Sequence, residues 1–165
     1  MDIDIRMFVF DTRQRISLII YIYILIPYTV VIFNSILNAC AYTFGDVALQ
    51  RNAMETATSL LRKLDESKYD SADHITYGTF LKVCLNQMIP GDMQSQIVKI
   101  IFLKCAKDGM VSQFVLDQMR SFSNSKMFHE LLGFDHTDKS KGLMELPDSW
   151  RRNVVEGKRR RRGRS

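Results

Sequence analysis

The chain has 165 residues, 46% of them hydrophobic and 25% charged, which is enough for one domain with a modest core. Only 3 Pro and 8 Gly argue against a turn-rich β architecture or a low-complexity chain. Residues 151–165 hold eight basic residues and one acid, a local +7 that leaves −2 of the chain's +5 for residues 1–150, so the body has no overall basic field for nucleic acid.

The chain divides into an apolar segment 1–29, a helical part 30–133 and an irregular segment with a disordered basic tail 134–165. The first segment contains ISLIIYIYILI, opening at Ile16 and closing at Ile26, with no charge between Arg15 and Asp46. A membrane anchor is one reading, and Arg13 and Arg15 would then favour a cytoplasmic N-terminus. Pro27, the acids Asp2 and Asp4, and the lack of a small-residue cleavage site weaken it. A packed or capping segment and a non-native extension are the other two readings. If solvent-borne, these residues form a patch that needs a cover.

From residue 30 the periodicity is helical. Residues 30–42 carry Phe33, Ile36, Leu37, Cys40 and Ala41 at spacings of three and four, and Phe44-Gly45-Asp46 ends the run. Residues 48–66 carry Leu49, Ala53, Ala57, Leu60, Leu61 and Leu64, with the alanines admitting a close partner helix. A third helix opens near His74 and carries Tyr77, Phe80, Leu81, Cys84, Leu85 and Met88. Ile89-Pro90-Gly91-Asp92 is a turn. A fourth helix, 92–107, has the stripe Ile97, Ile100, Ile101, Lys104, Cys105, and Asp108-Gly109 breaks it. A fifth spans about 110–122, and a short sixth spans 126–132 behind a capping turn at Ser123-Asn124-Ser125. Beyond Gly133 the pattern dissolves.

The expected fold is therefore all-α, with antiparallel helix pairs stacked as a short α-solenoid. Two helices share an opening 44 residues apart: Phe33 pairs with Tyr77, Ser35 with Thr79, Leu37 with Leu81 and Cys40 with Cys84. Two clear pairs and a divergent end suggest a truncated array. Cys40, Cys84 and Cys105, an odd set without CxxC, fall on apolar faces and read as buried thiols.

VVIFNSILNACAYT and HITYGTFLKVC resemble the helix openings of the pentatricopeptide repeat family over roughly residues 30–122. KCAKDGMVSQFVLDQMR and LPDSWRRNV look similar to C-terminal ends of algal and diatom members, including those named after the repeat region of protein-only RNase P. The 44-residue spacing exceeds the family's usual repeat of about 35, with the surplus read into a loop around GDVALQRN. The resemblance implies binding of single-stranded RNA, one base per repeat, read by two side chains. Here these are Asn34 and Asp73, a pair that implies uracil, while the second repeat has Gly78 at the reading position and no side chain to read with. It also implies an organellar location, mitochondrion or chloroplast. The residue-level alternative is capping: Asn34 near a helix start and Asp73 as N-cap of the helix at His74. Phe33 and Tyr77 read as core.

No catalytic constellation is evident. The acids Asp135, Asp138, Glu145 and Asp148 share no element, and His74, His129 and His136 lack a nucleophile at a useful spacing. No Gly-rich phosphate loop occurs, so the expectation is a non-enzyme without cofactor or metal. The tail GKRRRRGRS offers Lys158, Arg159, Arg160, Arg161, Arg162 and Arg164 as candidate RNA phosphate contacts, as a nuclear localisation signal, or as a solvated terminus. Two further readings stand beside RNA binding: a protein–protein adaptor, and a helical domain tethered to a membrane through residues 16–26.

Overall fold

The computed structural model describes residues 30–155, apart from Tyr69 and Ser123. The described residues are helical, without a β-strand. The helices are α1 (Val30–Ala41), α2 (Val47–Glu66), α3 (His74–Gln87), α4 (Asp92–Lys107), α5 (Gln113–Arg120) and α6 (Ser125–Leu132), followed by two single 3-10 turns, Leu143–Glu145 and Asp148–Trp150.

The starts of α2, α5 and α6 each have a local cause. The Asp46 carboxylate accepts from the Leu49 N–H, the Ser112 hydroxyl from Val115, and the Asn124 amide oxygen from Met127. Each cap satisfies a donor that the first helical turn leaves free. Asp46 changes the reading of the 44-residue spacing. Its cap places Val47 to Asn52 inside the 20-residue α2, so the extra residues lengthen a helix and not a loop. Helix α5 begins at Gln113, later than periodicity suggests, because Ser112 caps there and the Val111 N–H donates to the Trp150 carbonyl at 2.8 Å.

Helix α3 is the axis of the packing. It lies against α1, α2, α4 and α5. Surrounded on most sides, it buries Thr76, Tyr77, Gly78, Thr79, Phe80, Leu81, Val83, Cys84 and Gln87. Helix α2 contributes Ala53, Ala57, Leu61 and Leu64, the small residues letting α1 and α3 approach. Helix α4 turns Val98, Ile101, Phe102, Cys105 and Ala106 inward. Ile100 is 64% exposed, so the fourth helix is rotated from the stripe expected of it.

Side chains tie helix ends across the layers. Gln87 Nε2 donates to the carbonyls of Cys40, Ala41 and Thr43 at 2.8, 3.3 and 3.0 Å, and Asn86 Nδ2 to Ala41 at 2.8 Å. The terminal carbonyls of α1 thus find donors on α3. Gln94 Nε2 does the same for Cys84 at 3.0 Å. Tyr77, fully buried as expected, donates its hydroxyl to Asp108, and Lys104 joins Asp108 at 3.7 Å to Asp65 at 3.2 Å.

The segment after Gly133 is irregular but packed. Phe134 and Leu146 are buried, and Trp150 meets Phe102 edge-on at 5.8 Å. Asn153 donates its N–H to the Gly109 carbonyl at 3.0 Å and its Nδ2 to Asp108 at 2.8 Å. Gly109 has φ +71°, and a Cβ there would stand 3.2 Å from the Ser149 carbonyl oxygen. Glycine therefore serves both the left-handed turn and the close passage of this segment. Arg120 anchors the loop between, donating to the carbonyls of His136, Asp138 and Lys141 at 2.7, 3.1 and 2.6 Å.

Candidate nucleic-acid interface

Asn34 and Asp73, 39 residues apart, meet where α1 runs beside the start of α3. Asn34 Nδ2 donates to Asp73 Oδ1 at 3.1 Å, and the Thr76 hydroxyl lies 2.7 Å from Asn34 Oδ1 and 2.9 Å from Asp73 Oδ1. The Thr76 N–H donates to Asp73 Oδ1 at 2.8 Å, and the Asp73 N–H to Thr76 Oγ1 at 3.2 Å. Asp73 and Thr76 thereby form a reciprocal capping box at the start of α3. The capping expectation for Asp73 is met. Asn34 does not cap its own helix, since it is the fifth residue of α1 and its side chain crosses to α3.

The chemistry left over is specific. An Asn amide has two N–H donors and an oxygen with two lone pairs. One donor goes to Asp73 and one lone pair to Thr76, which leaves one of each. The cluster is half-buried, and the carboxylate fixes the amide with its nitrogen towards Asp73. Asp73 Oδ1 and Thr76 Oγ1 stand 2.9 Å apart, so together they take the facing N–H and lone pair of the amide, and the donor and the acceptor left over point to opposite sides.

The equivalent position on α3 is closed. A Cβ at Gly78 would stand 2.3 Å from Phe114 Cδ1 and 2.4 Å from Cε1. The Phe114 ring of α5 occupies the space a reading side chain would need. The lack of a side chain at 78 is thus a condition of the α3–α5 contact.

Four and eight residues beyond the half-buried Asn34 stand the exposed Asn38 of α1 and Tyr42, just past its end. The Lys82 ammonium of α3 sits 4.4 Å from the centre of the Tyr42 ring and bonds the phenol. Sequence reasoning did not single out this cation–aromatic pair, whose members are 40 residues apart. The candidate phosphate contacts Lys158, Arg159, Arg160, Arg161, Arg162 and Arg164 lie outside the described residues, as does the segment 16–26. Among the described residues no helix is long and apolar enough to cross a membrane, and no three His, Cys, Asp or Glu side chains gather as a metal ion would need.

The three cysteines are free and buried. Burial pushes the Cys84 thiol up to about 12, and raises Cys105 and Cys40 as well. High thiol pKa values disfavour the nucleophilic thiolate. His129 is on the surface of α6. No family model, curated protein or solved structure matches the chain.

Proposed function

We propose that the chain is an RNA-binding helical-repeat protein, a short α-solenoid of pentatricopeptide-like helix pairs that holds a uridine of single-stranded RNA at Asn34. The observation that carries this reading is the side-chain bond from Asn34 to Asp73. Two residues chosen by their place in successive helix openings meet on the surface, and the amide is left with one donor and one acceptor. Uracil carries an imide N–H and carbonyl oxygens, so it can make one hydrogen bond with whichever of these groups faces it. The serial contact of α1 with α3 and of α3 with α5, with α2 bridging the first two, supports the solenoid layout. The basic tail supplies attraction to phosphate, which a body of −2 does not. By resemblance the site of action is an organelle, and the role is RNA processing or expression without catalysis by this chain.

The test is binding of the full chain to fluorescent oligo-U and oligo-A across a salt series. The expected result is preference for oligo-U, reduced about fivefold in Asn34→Ala, the worth of one hydrogen bond of about 1 kcal/mol. Equal binding of both RNAs that collapses with salt would assign all affinity to the tail. A protein–protein adaptor is the second reading. It is favoured by the exposure of Ile89 (87%), Met93 (69%) and Ile100 (64%) in and before α4. It predicts no RNA affinity once the tail is removed.

A further inference from the structure

The far end of α1 carries a pair of side chains that the Asn34 cluster does not use. Tyr42 directly follows the helix, and the Lys82 ammonium of α3 lies over its ring, 4.4 Å from the centre, and donates to its phenol oxygen. This pair is not needed to hold the two helices together. Gln87 Nε2 and Asn86 Nδ2 already bind the carbonyls of Cys40, Ala41 and Thr43, before and after Tyr42. The Tyr42 N–H donates back to the Asn38 and Ala39 carbonyls, each at 3.2 Å. The backbone beneath the ring is therefore fixed from both sides. Lys82 lies on one face of the ring, and 49% of the residue remains open to solvent.

The chemistry left over at this end has a definite character. An ammonium has three donors, and Lys82 spends one on Tyr42. Among the described residues no carboxylate stands within ion-pair distance of Lys82. Phe44, in the turn that follows, is exposed as well. Open aromatic rings beside an unpaired cation match a nucleotide, whose base is flat and whose phosphate is an anion. Tyr42 stands eight residues beyond Asn34, about 12 Å along the helix axis. That exceeds the roughly 3.4 Å rise of a stacked strand, so one RNA meets the two places with two nucleotides that are not stacked neighbours. We propose that Tyr42 and Lys82 form a second nucleotide contact, in which a base of single-stranded RNA stacks on the open face of the Tyr42 ring and Lys82 takes a phosphate of the same strand. The inference rests on the RNA-binding reading above and adds to it a contact without base preference, since every base has a π face to stack. Asn34 then sets preference, while Tyr42 and Lys82 set affinity.

The test titrates full-length Tyr42→Ala, Tyr42→Phe, Lys82→Gln and Asn34→Ala with fluorescent oligo-U and oligo-A across a salt series, with helicity checked by circular dichroism. The basic tail is present in every variant and cancels from the comparison. Tyr42→Ala should weaken both RNAs about tenfold and by the same factor, leaving their ratio unchanged. Tyr42→Phe keeps the ring and should stay within about twofold of the parent. Lys82→Gln should weaken both RNAs and lower the slope of log affinity against log salt by about one. Thiouridine-labelled RNA irradiated on the parent chain should cross-link to the peptide that contains Tyr42. Unchanged binding by Tyr42→Ala, equal losses in Tyr42→Ala and Tyr42→Phe, or cross-links confined to residues 157–165 would each overturn the proposal, while a preference for oligo-U lost in Asn34→Ala would still stand. No RNA binding by the parent chain would overturn the RNA reading itself, and this contact with it.

Discussion

Gly78→Ala is the sharpest test of how α3 and α5 meet. In an isolated helix the change is favourable, since Gly costs about 1 kcal/mol relative to Ala. Here the new methyl would stand 2.3 and 2.4 Å from two Phe114 ring carbons, well inside van der Waals contact. The ring must turn or α5 must move. Overpacking of this kind costs about 1–3 kcal/mol. Against the propensity gain, the expected outcome is net destabilisation of up to about 2 kcal/mol. With a urea m-value of about 2 kcal/mol/M, the midpoint falls by up to roughly 1 M. In a Phe114→Ala background the obstacle is gone, and Gly78→Ala should then stabilise by about 0.5–1 kcal/mol. The double-mutant cycle isolates a coupling of about 1–3 kcal/mol. If Gly78→Ala raised stability equally in both backgrounds, the steric reading of this glycine would be wrong. Gly78→Asn, which would restore a reading side chain, should fare worse than Ala for the same reason.

Three other outcomes are expected. Tyr77→Phe removes the bond to Asp108 and should cost about 0.5–1.5 kcal/mol at neutral pH in urea denaturation. Burial and then the Asp108 partner raise the Tyr77 pKa, so its folded form holds the phenolic proton more tightly than the unfolded chain; its contribution is complete below pH about 10 and is lost as pH rises above that, a decline that Tyr77→Phe should flatten. The native chain should resist Ellman's reagent at pH 8 and release three thiols in guanidinium, because the cysteines are buried with raised pKa values. Trp150 is the chain's one tryptophan and packs on Phe102, so its fluorescence should change together with the helical circular dichroism signal as urea is added. An earlier, separate fluorescence transition would show that the C-terminal segment is not part of the cooperative unit.

The helices were legible where the signal is local. Asp73 and Asn124 cap the turns that follow them, and the stripes of α1 and α2 supply Phe33, Leu37, Ala57 and Leu64 to the core, while the caps at Asp46 and Ser112 shift the starts of α2 and α5 from where periodicity put them. The face of α4 was not legible. Between Ile97 and Leu103 only Lys99 interrupts an apolar run, so periodicity does not choose between Ile100 and the fully buried Val98 and Phe102. The C-terminal packing was hidden for another reason. Trp150, Arg152 and Asn153 reach α4 and its exit by backbone and side-chain bonds over about 40 residues, with no repeat to announce them. Gln87 and Gln94 likewise read as polar residues on apolar helices, and only the neighbouring carbonyls give them a purpose.

The candidate site shows how one residue can serve two ends. Asp73 is held in place by the start of α3, whose Thr76 N–H needs its carboxylate and whose Thr76 hydroxyl oxygen accepts from its N–H. Capping therefore sets the position of the group that orients Asn34, and the two readings of Asp73 are not rivals. A substitution separates them by what survives. Asp73→Asn keeps an oxygen for the Thr76 N–H and so keeps most of the cap. It replaces a carboxylate acceptor with an amide, weakening the charge-assisted bond that fixes the Asn34 amide. If the cluster reads a base, Asp73→Asn should leave thermal stability within about 1 kcal/mol of the parent while lowering the preference for oligo-U over oligo-A. Stability and base preference falling together, in step with Asp73→Ala, would mean that the carboxylate serves the helix alone.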